Sequence, residues 1–253
     1  MSGHSKWHQI RRQKGVTDAK RGQLFTRLGR EIVVAVREGG GGDPDGNARL
    51  RLAIQRARAA NMPLDNIDRT IKRAMGGGEG IQLDEIRYEG YAPGGAAIMV
   101  QVMTDNRNRA AAEIRNVFGK NGGNLGEVGC VDWIFEPRGV IEVKLDGKNL
   151  DDLMMAALDA GAEDVPTPAP GDETATVYTD YNGVEDVREK LATAGYEIEN
   201  SEATLVPKTK VPLSEKDGMA ALRLMDKIED LEDVQAVYTN AEISDEIAEK
   251  YAG

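Results

Sequence analysis

Residues 84–118, DEIRYEGYAPGGAAIMVQVMTDNRNRAAAEIRNVF, contain the transition that decides how this chain folds. Residues 84–91 and 96–103 are predicted to form a strand pair, because the turn-forming run Ala-Pro-Gly-Gly separates them. The following Thr-Asp-Asn can cap a helix that extends from Arg107 to Phe118. The stretch therefore supplies two strands and one helix, which is less than a closed core requires.

The end of the chain supplies the missing elements. A further strand is predicted from Cys130 to Phe135, so that residues 80–136 read as ββαβ. Residues 207–253 add a helix at about 214–231, a strand from Val234 to Thr239 and a short tail helix. Neither segment closes a two-layer core alone, and we predict that they join in one discontinuous α/β domain.

The segment between them reads as a unit that is complete in itself. Residues 137–206 are predicted to form βαββαβ, the ferredoxin-like order. The predicted elements are strands at 140–145, 162–166, 174–179 and 196–206 and helices at 149–160 and 184–194. This unit is predicted to be inserted into the discontinuous domain, although a meander of two independent small units fits the same element count.

The segment before residue 80 is predicted to be helical. Apolar residues recur at three- and four-residue steps in helices from about Asp18 to Arg37, from about Asn47 to the break at 61–63, and from Pro63 to Met75. The run GGGGDPDG at 39–46 is longer and looser than the turn of a helix-turn-helix, which disfavours that motif. The predicted fold class is α+β and multidomain: a three-helix domain within residues 1–79, followed by two ferredoxin-like α/β domains, one inserted into the other.

Charge is divided unevenly along the chain. Residues 1–75 contain 16 Lys and Arg against 7 Asp and Glu, a net charge of +9, whereas residues 76–253 contain 16 against 36, a net charge of −20. The overall charge of −11 hides this division, and a partner meets the local field, which is screened beyond about 8 Å at physiological salt. We call residues 1–75 the basic front. Such a segment indicates a polyanionic partner, although it can also be only a well-solvated face.

The predicted binding site for nucleic acid consists of the cations of this front and two aromatic side chains. Residues 1–17 lack a helical or strand period, so we expect an arm that orders on its target. Trp7 can stack on an unpaired base or fold back on the helical bundle. The candidate residues are Lys6, Trp7, His8, Arg11, Arg12, Lys14, Lys20, Arg21, Arg27, Arg30, Arg49, Arg51, Arg56 and Arg58.

No catalytic, metal or cofactor site is predicted. His4 and His8 have a spacing that fits a metal on a helix, but no third ligand of Cys or His type is near them. The glycine-rich run at 119–126 lacks the Gly-Lys-Ser/Thr ending of a phosphate loop. Cys130 is expected to be a small buried residue in its strand, and Trp133 and Phe135 are expected to face the core.

Targeting and redox features indicate the cytoplasm. No run approaches the roughly 18 apolar residues of a membrane helix, and the N-terminus has no apolar run of signal-peptide type. The single cysteine cannot form an internal disulfide. We expect a monomer that does not enter a membrane and that binds DNA or ribosomal or transfer RNA, with the ribosome as a candidate partner.

Several motifs resemble those of a known family. They are GHSKW at 3–7, FTRL at 25–28 with REI at 30–32, NMP at 61–63 with NI at 66–67, YEGY at 88–91, TDNRNR at 104–109 and GGNLG at 122–126. Through them the chain resembles, over nearly its whole length, the YebC/PmpR family, which includes the mitochondrial translational activator of cytochrome c oxidase subunit I. Ala110, where many members have Thr, and Cys130, where Ser is common, are small departures.

The resemblance implies a helical N-terminal domain, two α/β domains and a non-enzymatic regulator of gene expression. The family is usually described as DNA-binding transcriptional regulators, but its organellar and some bacterial members are tied to translation on the ribosome. The residues alone favour irregular RNA, because an extended arm with one aromatic side chain suits unpaired bases. A transcriptional regulator, a ribosome-associated translation factor and a protein-interaction scaffold therefore remain open.

Overall fold

The computed structural model describes residues 18–76, 83–169 and 172–252. The predicted arm, residues 1–17, lies outside them. In the described part, the helices are α1 (Asp18–Glu38), α2 (Ala48–Ala59), α3 (Leu64–Met75), α4 (Arg107–Lys120), α5 (Leu150–Ala160), α6 (Val184–Thr193), α7 (Glu215–Glu229) and α8 (Asp245–Ala252). The strands are β1 (Asp84–Tyr91), β2 (Ala97–Thr104), β3 (Asn124–Leu125), β4 (Phe135–Lys144), β5 (Thr174–Thr179), β6 (Ile198–Pro207), β7 (Val211–Pro212), β8 (Val234–Thr239) and β9 (Ala241–Glu242).

Helices α1, α2 and α3 form the helical domain around one apolar core. Ile32, Leu50 and Ile67 are buried in it, on the stripes that their spacing predicts. Asn47 closes the glycine-rich connection between α1 and α2. Its side-chain amide donates to the carbonyl oxygens of Ala35 (2.7 Å) and Gly41 (2.8 Å), while its amide oxygen caps the first turn of α2. The connection that looked loose in sequence is thus fixed by one buried side chain.

The first α/β sheet has the strand order β3-β1-β2-β8 and is antiparallel throughout. Strand β8, near the end of the chain, pairs with β2 in a register that places Val100 opposite Val237. Helices α4, α7 and α8 cover one face, where Phe118 and Leu222 are fully buried. Residues 92–118 and 221–248 therefore share one core, and the two segments stabilise each other.

The predicted strand from Cys130 to Phe135 is wrong. Cys130 lies in a turn, Asp132–Ile134 form a single 3-10 turn, and the edge strand of this sheet is the two-residue β3. The expectation that Trp133 faces the core is also wrong, because 65% of its surface is exposed. Phe135 is buried as expected, and Cys130 is partly buried rather than enclosed.

The second sheet has the order β5-β4-β6, and helices α5 and α6 pack on it around Ile141, Leu153 and Leu191. The predicted strand at 162–166 is reduced to one bridge between Asp164 and Tyr178. Strand β4 begins at Phe135 instead of Val140, because it pairs with β6 from its first residue. The predicted α+β class, with N-terminal helices followed by sheet-containing domains, is confirmed.

A second apolar cluster joins the two sheets. Met99 and Tyr238, on the face of the first sheet opposite its helices, pack near Phe135 of β4 and Leu205 of β6. Strand β2 is consequently buried on both faces, which explains its nearly continuous apolar sequence. In the described part of the chain, no helix is long and apolar enough to cross a membrane.

Candidate nucleic-acid interface

Two of the predicted binding cations instead attach the helical domain to the first α/β sheet. Arg27 of α1 donates to the carbonyl oxygen of Glu229. Arg30 donates to the carbonyl oxygen of Glu232 at 2.5 Å and to its carboxylate at 2.9 Å. It also lies 3.0 Å from the Asp233 carboxylate, and only 15% of its side chain is exposed. Arg27 and Arg30 are therefore interdomain contacts within the protein.

Asp233 is the centre of this interdomain contact, and its side chain is only 4% exposed. Besides Arg30, it accepts from the Arg109 guanidinium and from the Thr104 hydroxyl, each at 2.8 Å. The hydrogen bond to Asp233, more than that to Asp105, raises the pKa of Arg109 and keeps it charged. One buried carboxylate thus connects α1, α4 and the β2–β8 pair.

Helix α2 carries its cations on two different sides. Arg49 pairs with Glu38 at 2.7 Å and with Glu85 of β1, and Arg56 lies 3.5 Å from Glu31. Because residues advance by about 100° along a helix, Arg51 and Arg58, seven positions apart, lie together on another side of α2. We call the Arg49 and Arg56 side the inner flank, since it faces α1 and β1.

The other side, the outer flank, has no carboxylate partner among the described residues. Arg51 donates only to the carbonyl oxygens of Pro44 (3.1 Å) and Asp45 (3.0 Å), and Arg58 is exposed. No described carboxylate neutralises either of these guanidinium groups. The outer flank can therefore accept an anionic partner without first breaking an ion pair.

Helix α3 adds three exposed cations that were not among the predicted site residues: Arg69, Lys72 and Arg73. They lie at i, i+3 and i+4, on the side of α3 opposite the buried Ile67. None of them forms an ion pair with a described residue. Their spacing against the apolar stripe was visible in the sequence, and it would have added them to the candidate site.

The remaining predicted site residues cannot be placed in the same way. Lys6, Trp7, His8, Arg11, Arg12 and Lys14 lie outside the described residues. Lys20 belongs to α1, although its side chain is not described, and Arg21 is exposed in the first turns of that helix. Of the fourteen predicted residues, the structure therefore groups only Arg51 and Arg58 on the outer flank.

Within the described residues, no group of three His, Cys, Asp or Glu side chains could hold a metal ion. A cavity of about 480 Å³ separates α1 from β1, and Arg37, Asp84, Glu85 and Arg107 are among its lining residues. The hydrogen bond between Asp84 and Arg107 lowers the pKa of the carboxyl group and raises that of the guanidinium, so both remain charged. A pair whose two members both stay charged does not itself supply the poised acid or base that general acid–base catalysis requires.

Comparisons with known proteins match both parts of the chain. A family model described as the TACO1/YebC protein N-terminal domain matches residues 5–77, and one described as the TACO1/YebC second and third domain matches residues 83–241. A protein of Roseiflexus castenholzii is 52% identical and one of Chloroflexus aurantiacus is 51% identical, each over 99% of both chains. Both are named "Probable transcriptional regulatory protein". The crystal structure of a conserved hypothetical protein from Aquifex aeolicus has a TM-score of 0.76 and 45% identity, and the match covers 90% of this chain and 93% of that one.

Proposed function

We propose, from the premise that this chain belongs to the TACO1/YebC family, that it is a non-enzymatic regulator of gene expression that binds nucleic acid. The names of the relatives support the regulatory role. The observation that carries the binding proposal is the set of exposed cations on the outer flank of α2 and on α3, in a chain that is otherwise acidic. The sequence of residues 1–17 contributes further Lys and Arg residues.

The arrangement of α2 and α3 favours contacts with phosphates over the reading of bases. Four residues connect α2 to α3, with Asn61 in the left-handed region at φ 59°, and this length is compatible with a helix-turn-helix. In that motif the N-terminal residues of the second helix reach the bases. Helix α3 carries Asp65 in its first turn, whereas Lys72 and Arg73 lie in its last turn. The end that would enter the groove is acidic, and the phosphates that flank the groove would repel it, which disfavours this mode of docking.

Two targets follow from a binding surface that contacts phosphates. Binding of duplex DNA would agree with the names of the relatives and would make the chain a transcriptional regulator. Structured RNA on the ribosome makes it a translation factor, and the acidic N-terminal end of α3 favours this second candidate, since RNA is recognised largely through shape and backbone.

The test is to neutralise the outer cations in the full chain. The triple variant Arg58→Gln, Lys72→Gln and Arg73→Gln should lower the slope of log affinity against log salt by about 2, because each phosphate contact contributes about 0.7–0.9. Fluorescence anisotropy between about 50 and 200 mM salt, with a labelled duplex DNA and a labelled ribosomal RNA hairpin, measures both slopes.

Arg56→Gln is the matched control, because it removes one cation from the same helix on the inner flank. It should leave both slopes unchanged. A triple variant with wild-type slopes on both probes would refute the binding proposal. A decrease seen on only one of the two probes would identify the target.

A further inference from the structure

Trp133 is a large apolar surface that the proposed function does not use. Its ring is 65% exposed, and Val128 of the same loop is 92% exposed. The indole N–H, its only polar group, donates to the carbonyl oxygen of Cys130 at 3.1 Å. What Trp133 presents to a partner is therefore apolar ring surface. Because exposing a tryptophan forfeits much hydrophobic stabilisation and tryptophan is enriched at interfaces, this ring is a candidate contact site.

The loop that carries Trp133 is held rigidly from beneath. The buried carboxylate of Glu89 accepts three backbone N–H groups, from Gly129 (2.7 Å), Val131 (2.7 Å) and Asp132 (2.9 Å). Val131 and the residues after Trp133 are buried in the cluster between the two sheets. The ring is consequently fixed in an outward position before any partner arrives, which lowers the entropy that binding must remove.

Two cations lie at the loop that carries the ring. The Lys208 ammonium donates to the carbonyl oxygen of Trp133 at 3.3 Å and has no carboxylate partner among the described residues. The Arg87 guanidinium lies 3.4 Å from the Asp132 carboxylate, where both side chains are more than half exposed. An aromatic face beside exposed cations is the combination with which proteins bind unpaired nucleotides.

The loop also lies close to the helical domain. Glu85, Arg87 and Glu89 alternate onto one face of β1. Glu85 pairs with Arg49 of α2, and Glu89 holds the Trp133 loop. Four residues of a strand span about 13 Å, and a helix is about 10 Å across, so a single strand of several nucleotides bound on the outer flank of α2 can pass the inner flank and reach the Trp133 loop.

We propose that Trp133 is a stacking platform for an unpaired base of the nucleic acid that the helical domain binds, and that Lys208 contacts a neighbouring phosphate. This proposal rests on the proposed function and adds to it a second contact point, which selects single-stranded segments. Tryptophan also anchors protein interfaces. The adjacent cations and the short distance to α2 favour nucleic acid over a protein partner.

The chain contains two tryptophans, so Trp7→Phe leaves Trp133 as the only one. In this full-length variant, an unlabelled single-stranded RNA of about 12 nucleotides, within the usual size of such sites, should quench the tryptophan emission, whereas the same sequence as a blunt duplex should not. Trp133→Ala in the otherwise native chain should weaken single-strand binding roughly tenfold, with an unchanged salt slope. Lys208→Gln should lower that slope by about 0.7. Tyr181→Ala, which removes another exposed aromatic ring on the inserted unit, should change neither quantity.

The outcomes separate this proposal from the proposed function. Binding of the full chain with no quenching of Trp133, and with no loss of affinity in Trp133→Ala, overturns the stacking role and leaves the regulator intact. Equal losses on single strand and duplex, with a lower melting temperature, show a structural role and also overturn it. If Trp133→Ala keeps its nucleic-acid affinity but loses a co-purifying protein, Trp133 is a protein-docking residue, and the stacking role is overturned. A full chain that binds neither probe refutes both proposals.

Discussion

Replacing Asp233 by Asn should loosen the attachment of the helical domain. Asp233 is buried, and it faces Arg30 at 3.0 Å as well as the Thr104 hydroxyl at 2.8 Å. Breaking a buried ion pair from one side costs about 3–5 kcal/mol, because the remaining charge stays buried without a partner. Arg30 keeps its contact with the Glu232 carboxylate, and Arg109, at 43% exposure, can turn to the solvent, so we expect the lower end, about 3 kcal/mol. For a chain of this size that corresponds to a decrease of roughly 6–12 °C in melting temperature.

Hydrogen exchange locates the effect, and a neighbouring carboxylate provides the control. Protection should fall in α1 and in the turn between α7 and β8, and it should stay unchanged in α5, which packs on the second sheet. Asp105→Asn removes the other carboxylate that binds Arg109, but that contact is an exposed i,i+4 pair at 2.8 Å and contributes little to stability. If Asp233→Asn melted like Asp105→Asn, or lost protection evenly over the chain, the central role of Asp233 would be disproved.

Three further predictions concern buried polar groups. Asn47→Ala should destabilise the helical domain by about 2–3 kcal/mol, measured by denaturant unfolding, because it removes a helix cap and the buried amide that donates to the Ala35 and Gly41 carbonyl oxygens, of which that of Ala35 keeps the N–H of Gly39. An unchanged midpoint would contradict this. Glu89→Gln should make the Trp133 loop more mobile, because it removes the carboxylate that accepts three backbone N–H groups. In a Trp7→Phe background, the emission anisotropy of Trp133 should therefore fall. A constant anisotropy would show that the loop does not depend on that carboxylate. Burial, and to a lesser extent the charge of Glu89, raises the pKa of Cys130, so more of the thiol is protonated at pH 8 in the folded chain. A thiol reagent should therefore modify the folded chain more slowly than the unfolded chain. Equal rates would argue against this prediction.

Most elements were predictable because their periodicity is strong and local. Helix α1 was predicted from Asp18 to Arg37 and ends one residue later, and β5 has the predicted bounds of 174–179. The failure at 130–135 has a specific cause. The alternating apolar residues there suit a strand, but the Glu89 carboxylate, about forty positions earlier in the chain, takes the N–H groups of Val131 and Asp132. A tertiary hydrogen bond therefore overrides the local pattern, and no window of sequence contains both partners.

The candidate site was less predictable than the fold, because charge alone does not reveal the partner of a cation. Arg27 and Arg30 contact residues that follow them by 202 positions, and Arg49 contacts Glu85 across two domains. In sequence these arginines look the same as Arg58, which faces the solvent. Helical spacing could separate the two sides of α2, but only the packed structure shows which side the acidic residues of the α/β domain occupy.

The acidic character of residues 76–253 is consistent with binding by the basic front once these contacts are considered. Glu85, Glu232 and Asp233 of the first α/β sheet meet cations of the inner flank and of α1, and no described carboxylate meets Arg58. Because unlike charges attract, these acids fix which way the helical domain faces, and they leave the outer flank of α2 and the exposed side of α3 toward the solvent. Like charges would repel a polyanion from most of the remainder of the chain, so a nucleic acid is attracted first to the side where the outer cations lie. The charge division of the sequence thus orients the partner as well as attracting it.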